Sequence, residues 1–312
     1  MRDDAIAPII AVMLILAAIV TFFSIWNAIY VPSMKESAEV GHLENVESAF
    51  EHFSSDIDYA VSSHQDNLVF SEPVQLGGGD VMVNLLKSSG TLQVQTDEST
   101  PSVYNLTFID VKGIVIPVVD VPMVNISYVP LNNFWQDQGY EWEYGYINVT
   151  KYGQLSTPLE YYNMTDVQNE IDIPGSPLQT FARSFGSADY TMNQSSPGNC
   201  SCVDLWAVNL SSSPDHSFVS SNGFGTIRLT TAVNTTSYTG IADISFGTDN
   251  GLFGNRTLDS WNTSFNEMNA ACPNNIVYDP DETGNDRQWN ILNTISPVTV
   301  NTHTVTVEIS AN

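Results

Sequence analysis

The chain is 312 residues long and carries 35 Asp and Glu against 9 Lys and Arg, a formal net charge of −26. Cations spread singly at positions 2, 35, 87, 112, 151, 183, 228, 256 and 287 cannot form the basic stripe that nucleic acid requires, so no nucleic-acid partner is expected. Three cysteines exclude a disulfide scaffold, and a chain of this length buries a core without one.

No charged residue occurs between Asp4 and Lys35, and Ile6 to Tyr30 reads IAPIIAVMLILAAIVTFFSIWNAIY. As helix this stretch reaches about 37 Å, more than the roughly 30 Å of a bilayer's hydrocarbon core. Pro8 falls in the first turn, where a missing N–H is tolerated, and Pro32 predicts an interruption of the helix. The leader MRDDA is acidic and the apolar run exceeds the roughly 7–15 residues of a removable secretory signal. A signal anchor, with Arg2 inside and the remainder outside, fits the same residues.

The string Asp4-Ala5-Ile6-Ala7-Pro8, a charged residue, a small residue and then an apolar helix, resembles the class III signal of archaeal type IV prepilins. The resemblance covers residues 1–35. It implies that a prepilin peptidase cuts between Ala5 and Ile6, removing the leader 1–5. The helix 6–30, with Ile6, Pro8, Ile10, Leu14, Phe22, Phe23 and Trp26 along it, would then serve as membrane anchor of the precursor and later as filament core. Copies of the same chain and the pilus assembly machinery, an ATPase and a membrane platform, are the partners the resemblance implies. Bacterial type IV pilins carry Glu at the fifth mature position, where this chain has Ile10; archaeal pilins lack that rule.

After Pro32 an amphipathic stem helix is expected over 31–66, with Val40, Leu43, Val46, Phe50, Phe53, Ile57 and Val61 at spacings of three and four. Glu36, Glu39, Glu44, Glu47, Glu51, Asp56 and Asp58 fall on the other face, with His42 and His52 on the polar side. From 67 to 312 the pattern becomes β. Strands are expected at Val81–Leu86, Thr91–Gln95, Val103–Val111, Ile114–Val119, Val124–Val129, Tyr140–Thr150, Thr226–Val233, Gly240–Ser245 and Val298–Ile309. A helix is expected at Leu258–Ala271, and a Ser-, Asn-, Gly- and Pro-rich stretch at 176–221 reads as surface loops or a subdivision of the head. The fold class is therefore α+β: a long apolar helix and an amphipathic stem, followed by a mainly antiparallel, sandwich-like β head.

Ten Asn-x-Ser/Thr sequons, at Asn105, Asn125, Asn148, Asn163, Asn193, Asn199, Asn209, Asn234, Asn255 and Asn262, all lie in the head. Composition alone predicts about five, so an outward-facing, glycosylated head on the cell surface is expected. Cys200 and Cys202 stand in a C-x-C pair, with Cys272 the natural partner of either in an oxidising exterior. Asp279, Asp281, Thr283 and Gly284 match the first half of a calcium loop, but position 12 is Asn290, so a polar turn without an ion is the simpler reading and no cofactor is expected. The histidines His42, His52, His64, His216 and His303 fall in no metalloprotease or nucleophile motif, and no catalytic residue is assigned. Glu141 and Glu143 share one face of a strand. The aromatic run Phe134, Trp135, Tyr140, Trp142, Tyr144, Tyr146, Tyr161 and Tyr162 reads as cross-strand packing, with a sugar-binding or subunit-packing patch as the alternative.

Overall fold

The uncharged N-terminal run forms helix α1 (Ile6–Ile25), which passes through a π-helical turn (Trp26–Tyr30) into α2 (Val31–Ser63). The computed structural model describes residues 6–78, 88–97, 102–131, 133, 137–151, 155–248, 253–279, 287–291 and 298–312. The interruption expected at Pro32 takes the form of the π turn. Pro32 has no N–H for the carbonyl four residues back and its ring crowds that group. The wider turn before it lets the Val31 N–H reach back five residues to the Trp26 carbonyl. The helix is reset there and continues to His64, whose left-handed backbone (φ 52°) ends it.

The head begins with β1 (Val69–Gln75), β2 (Ser89–Asp97), β3 (Tyr104–Asp110), β4 (Val115–Val121), β5 (Met123–Leu131), β6 (Gln138–Glu143), β7 (Tyr146–Lys151) and β8 (Leu155–Pro158). Two short helices follow, α3 (Met164–Asp172) and α4 (Pro177–Ser184), then β9 (Gly186–Met192), β10 (Cys200–Ser221), β11 (Phe224–Thr239) and β12 (Ile241–Gly247). Helix α5 (Phe253–Ala271), β13 (Ile276–Asp279), β14 (Arg287–Ile291) and β15 (Thr299–Ala311) complete it. A ten-stranded sheet runs β1-β11-β15-β10-β2-β5-β6-β7-β8 with β9 also on β10, and a five-stranded sheet runs β13-β14-β12-β3-β4. Pairing is antiparallel except between β10 and β15. The small sheet is tied to the large one by Tyr104, whose ring stacks on Phe246 and whose hydroxyl donates to the Val208 carbonyl at 2.5 Å.

Three expectations are corrected. The stretch 176–221 is neither loop nor boundary: it holds α4, β9 and the 22-residue β10, which lies inside the large sheet. Its Val203, Leu205 and Ala207 alternate into the core, a signal cut short where Val208, next to Ala207, is buried as well. The single strand expected over Tyr140–Thr150 is the hairpin β6–β7, turned by Tyr144 (φ 39°) and Gly145 (φ 90°), a two-residue turn with both centres at positive φ. On the stem, Glu39 and His42 are buried, at 0% and 3% exposure, instead of facing solvent. The strand expected at Val81–Leu86 lies outside the described residues.

Candidate assembly helix and its clamp on the head

Fifteen large apolar side chains between Ile9 and Tyr30 are exposed, among them Ile10, Leu14, Phe22, Phe23 and Trp26, with Leu14 at 66%. The stretch is long and apolar enough to cross a membrane and none of its most apolar window is buried in the chain. Ile6 and Pro8 lie in the backbone of α1, while Ala5 lies outside the described residues. Two sides of this helix differ. Ala17, Thr21, Ser24 and Ala28 follow a four-three-four spacing, which places small residues on one stripe where a second helix can approach closely. Thr21 satisfies its own hydroxyl by donating to the Ala17 carbonyl at 2.7 Å. Roughly opposite, Phe22, Trp26 and Tyr30 form a ladder, with ring centroids 6.2 and 5.1 Å apart. Trp and Tyr at the head-proximal end of an apolar span suit the level of lipid headgroups.

The stem is held on the inner face of the large sheet by packing and by polar pins. Leu43, Val46, Phe50, Phe53, Ile57 and Val61 are buried, whereas Val40, nearest the protruding helix, stays exposed. Strand alternation aims Tyr128, Tyr140 and Trp142 at the stem. His42 Nε2 lies 2.9 Å from the Tyr128 hydroxyl, Tyr140 donates to Glu47 Oε2 at 2.8 Å, and Trp142 Nε1–H donates to Ser54 Oγ at 3.0 Å. Burial lowers the His42 imidazole below its usual range against the pull of Glu39, and Glu39 itself meets Lys35 Nζ at 3.9 Å. Further along, burial and then the Glu160 carboxylate push Asp58 up to about 7. The charged-looking face of the stem is therefore partly a docking surface, because α2 is covered along more of its circumference than one apolar stripe marks.

The other sequence-marked residues separate. Cys200 is bonded to Cys272, and Cys202 is the free thiol. A register shift between Cys200 and Cys202 against β9 breaks the alternation, so Cys200 faces the core and Cys202 the outer side. There Cys202 adjoins Asp204, which receives Asn301 Nδ2–H at 2.8 Å, and burial together with Asp204 raises the thiol. The Trp206 ring is stacked between His64 and His303, a cluster that no spacing in the sequence marks. Among the sequons, Asn163 and Asn234 are exposed, Asn105, Asn125, Asn193, Asn209, Asn255 and Asn262 are half-buried, and Asn148 and Asn199 are buried. The last two are 2% and 6% exposed in the folded chain.

Asp281, Thr283 and Gly284 lie outside the described residues. Asp279 ends β13, and residues 287–290, the last four positions of the twelve-residue window of the expected calcium loop, lie in β14, which pairs with both β12 and β13. Among the described residues no cluster of three or more His, Cys, Asp or Glu is arranged to hold a metal. Tyr140, Trp142 and Tyr144 are core residues, Tyr146 and Tyr161 pack partly against that core, Tyr162 is 94% exposed, and Phe134 and Trp135 lie outside the described residues. Compared with known protein families, curated proteins and solved structures, the chain matches none.

Proposed function

We propose that this chain is the subunit of an extracellular filament of the archaeal type IV pilin kind, polymerising through its N-terminal helix and presenting the acidic head outward. The observation that carries the reading is the bare apolar rod of Ile9–Tyr30, continuous with a stem pinned to the head. Each such side chain gains about 1.5–3 kcal/mol on leaving water, so the rod belongs in lipid or among other apolar helices. A helix satisfies its own backbone groups and moves between those two settings without losing hydrogen bonds. The stripe Ala17, Thr21, Ser24 and Ala28 supports packing against copies of the same helix. Prepilin peptidase and the assembly machinery belong to the proposal through the resemblance of residues 4–8, and no step of catalysis is assigned to this chain.

A monomeric protein anchored by the same helix is the second reading, and the Trp26–Tyr30 ladder at the lipid surface favours it equally. The mass of the N-terminal peptide separates the two. In material sheared from cells, a mature terminus at Ile6, lost together with surface filaments in an Ala5→Phe variant, is the expected result. A terminus at Met1 or Arg2 confined to the membrane fraction overturns the filament reading.

A further inference from the structure

The alternation that turns Tyr128, Tyr140 and Trp142 toward the stem turns their strand neighbours to the opposite face of the large sheet. Register places Gln95 beside Asn125 and Asn125 beside Glu143, with Gln93, Ser127 and Glu141 in the next rank. Of these, Gln93, Gln95, Asn125 and Glu143 floor a cleft of about 730 Å³, walled by Ser212, Pro214 and Ser217 where β10 shifts register. The volume lies within the range of sites that hold small ligands. Among the described residues its lining has no Lys or Arg and no aromatic ring, and Glu143 is the one ionisable side chain.

The chemistry of the lining selects a ligand class by exclusion. An anion meets no cation here and approaches a chain of net charge −26. An apolar ligand would strip water from the amides of Gln93, Gln95 and Asn125 and offer nothing in return. A cation finds only Glu143, which already accepts from the Tyr146 hydroxyl at 2.7 Å and Asn148 Nδ2 at 3.1 Å, and which burial raises toward neutrality. Side-chain amides and hydroxyls each donate and accept, which is the pattern that ligand hydroxyls complement. Asn125 adds a specific need: its Nδ2 donates to Glu141, while its Oδ1 is buried without a partner.

We propose that this cleft is a binding site for a neutral, polyhydroxylated ligand, an uncharged oligosaccharide, and that Asn125 serves as part of its floor instead of carrying a glycan. The inference stands whether the head is displayed on a filament or on an anchor. The test is titration of the full-length chain in detergent with neutral hexose and N-acetylhexosamine oligosaccharides, alongside sialylated and sulfated counterparts, read by calorimetry or glycan array. Saturable binding of a neutral oligosaccharide is expected, weakened about tenfold or more by Gln95→Ala and by Glu143→Gln. Ser217→Trp, which fills the cleft from the opposite wall, should abolish it with the melting temperature unchanged. The proposal is overturned if no neutral oligosaccharide saturates up to about 10 mM, if only the acidic ones bind, or if binding survives Ser217→Trp.

Discussion

Tyr140 and Glu47 are 93 residues apart in sequence, yet the Tyr140 hydroxyl donates to Glu47 Oε2 at 2.8 Å. That bond ties the middle of the stem to the inner face of the sheet, between the Tyr128 contact with His42 and the Trp142 contact with Ser54. Any force borne by the protruding helix therefore reaches the head through α2. Tyr140→Phe removes the donor and leaves Glu47 partly desolvated, which should cost about 1–2 kcal/mol. Phe53→Ala, in the buried stripe, should cost about 3–5 kcal/mol. Thermal melts of the full chain in detergent check both. An unchanged midpoint for Phe53→Ala would mean that the stem is not docked in solution.

Asp58 gives the clamp a pH dependence with a definite sign. Its carboxyl moves from an ordinary value of 3.8 to about 7 in the folded chain, through burial and then Glu160. Protons bind the folded state more tightly over that interval, so Asp58's contribution is full below about 4 and is lost as pH rises through about 7. His42 runs the other way: burial lowers its imidazole from 6.5, so its contribution is full above that value and fades on acidification. Melting temperature should fall between about pH 5 and pH 8 in the parent chain. The fall should be flattened in Asp58→Asn, which keeps the volume and cannot ionise. A parent profile unchanged by Asp58→Asn would remove this residue from the account.

The apolar positions of the stem, the helix around Trp261 and most strands are legible in the sequence because each repeats a period over enough residues to be seen. What defeats the reading is local context. His42 looks solvated because its partner Tyr128 becomes visible only when α2 is laid on β5, and Glu39 looks solvated because its i,i+4 pairing with Lys35 reads as an ordinary surface ion pair. Strand β10 hides because Asn, Ser and Pro fill its second half, and because the alternation of Val203, Leu205 and Ala207 is preceded by the irregularity after Cys200 and followed by Val208, buried beside Ala207. The turn at Tyr144–Gly145 hides for a different reason. Tyr is a poor residue at positive φ, and here its hydroxyl donates to the Pro122 carbonyl at 2.7 Å and its ring packs on Phe253, so tertiary contacts override local preference. Of the proposed cleft, only Glu143 and Asn125 carry any mark in the sequence, and nothing there joins them to Gln95 or Ser217.

Glycosylation offers a graded check on the outward face. Asn163 is exposed, and its Oδ1 caps α3 by accepting from the N–H groups of Thr165 and Asp166 at 2.8 and 3.1 Å. A glycan bonds through Nδ2, so modification and capping are compatible at that residue. Asn234 lies on the exposed part of β11. Asn148, by contrast, is buried with its Nδ2 donating to Glu143. Glycopeptide mass spectrometry of native material should find sugar on Asn163 and Asn234 and none on Asn148 or Asn199. Full occupancy at Asn148 would require modification before the head folds.

The π turn before Pro32 sets how the apolar rod is aimed. A helix advances about 100° and 1.5 Å per residue, and a π turn holds one residue more than an α turn. Pro32→Ala restores an N–H for the carbonyl four residues back and removes the ring that crowds it, so the wide turn loses its cause. With the stem pinned at His42, Glu47 and Ser54, the relaxation has to appear in the rod, which should rotate by about 100° relative to the head. The stripe Ala17, Thr21, Ser24 and Ala28 would then face a different neighbour. If helices pack in a fixed register within a filament, Pro32→Ala should leave the head's melting temperature and membrane insertion intact while sharply reducing sheared filaments. An anchor that works alone in lipid is indifferent to rotation about its own axis, so equal surface display of parent and variant, with no filament from either, would favour the anchored monomer.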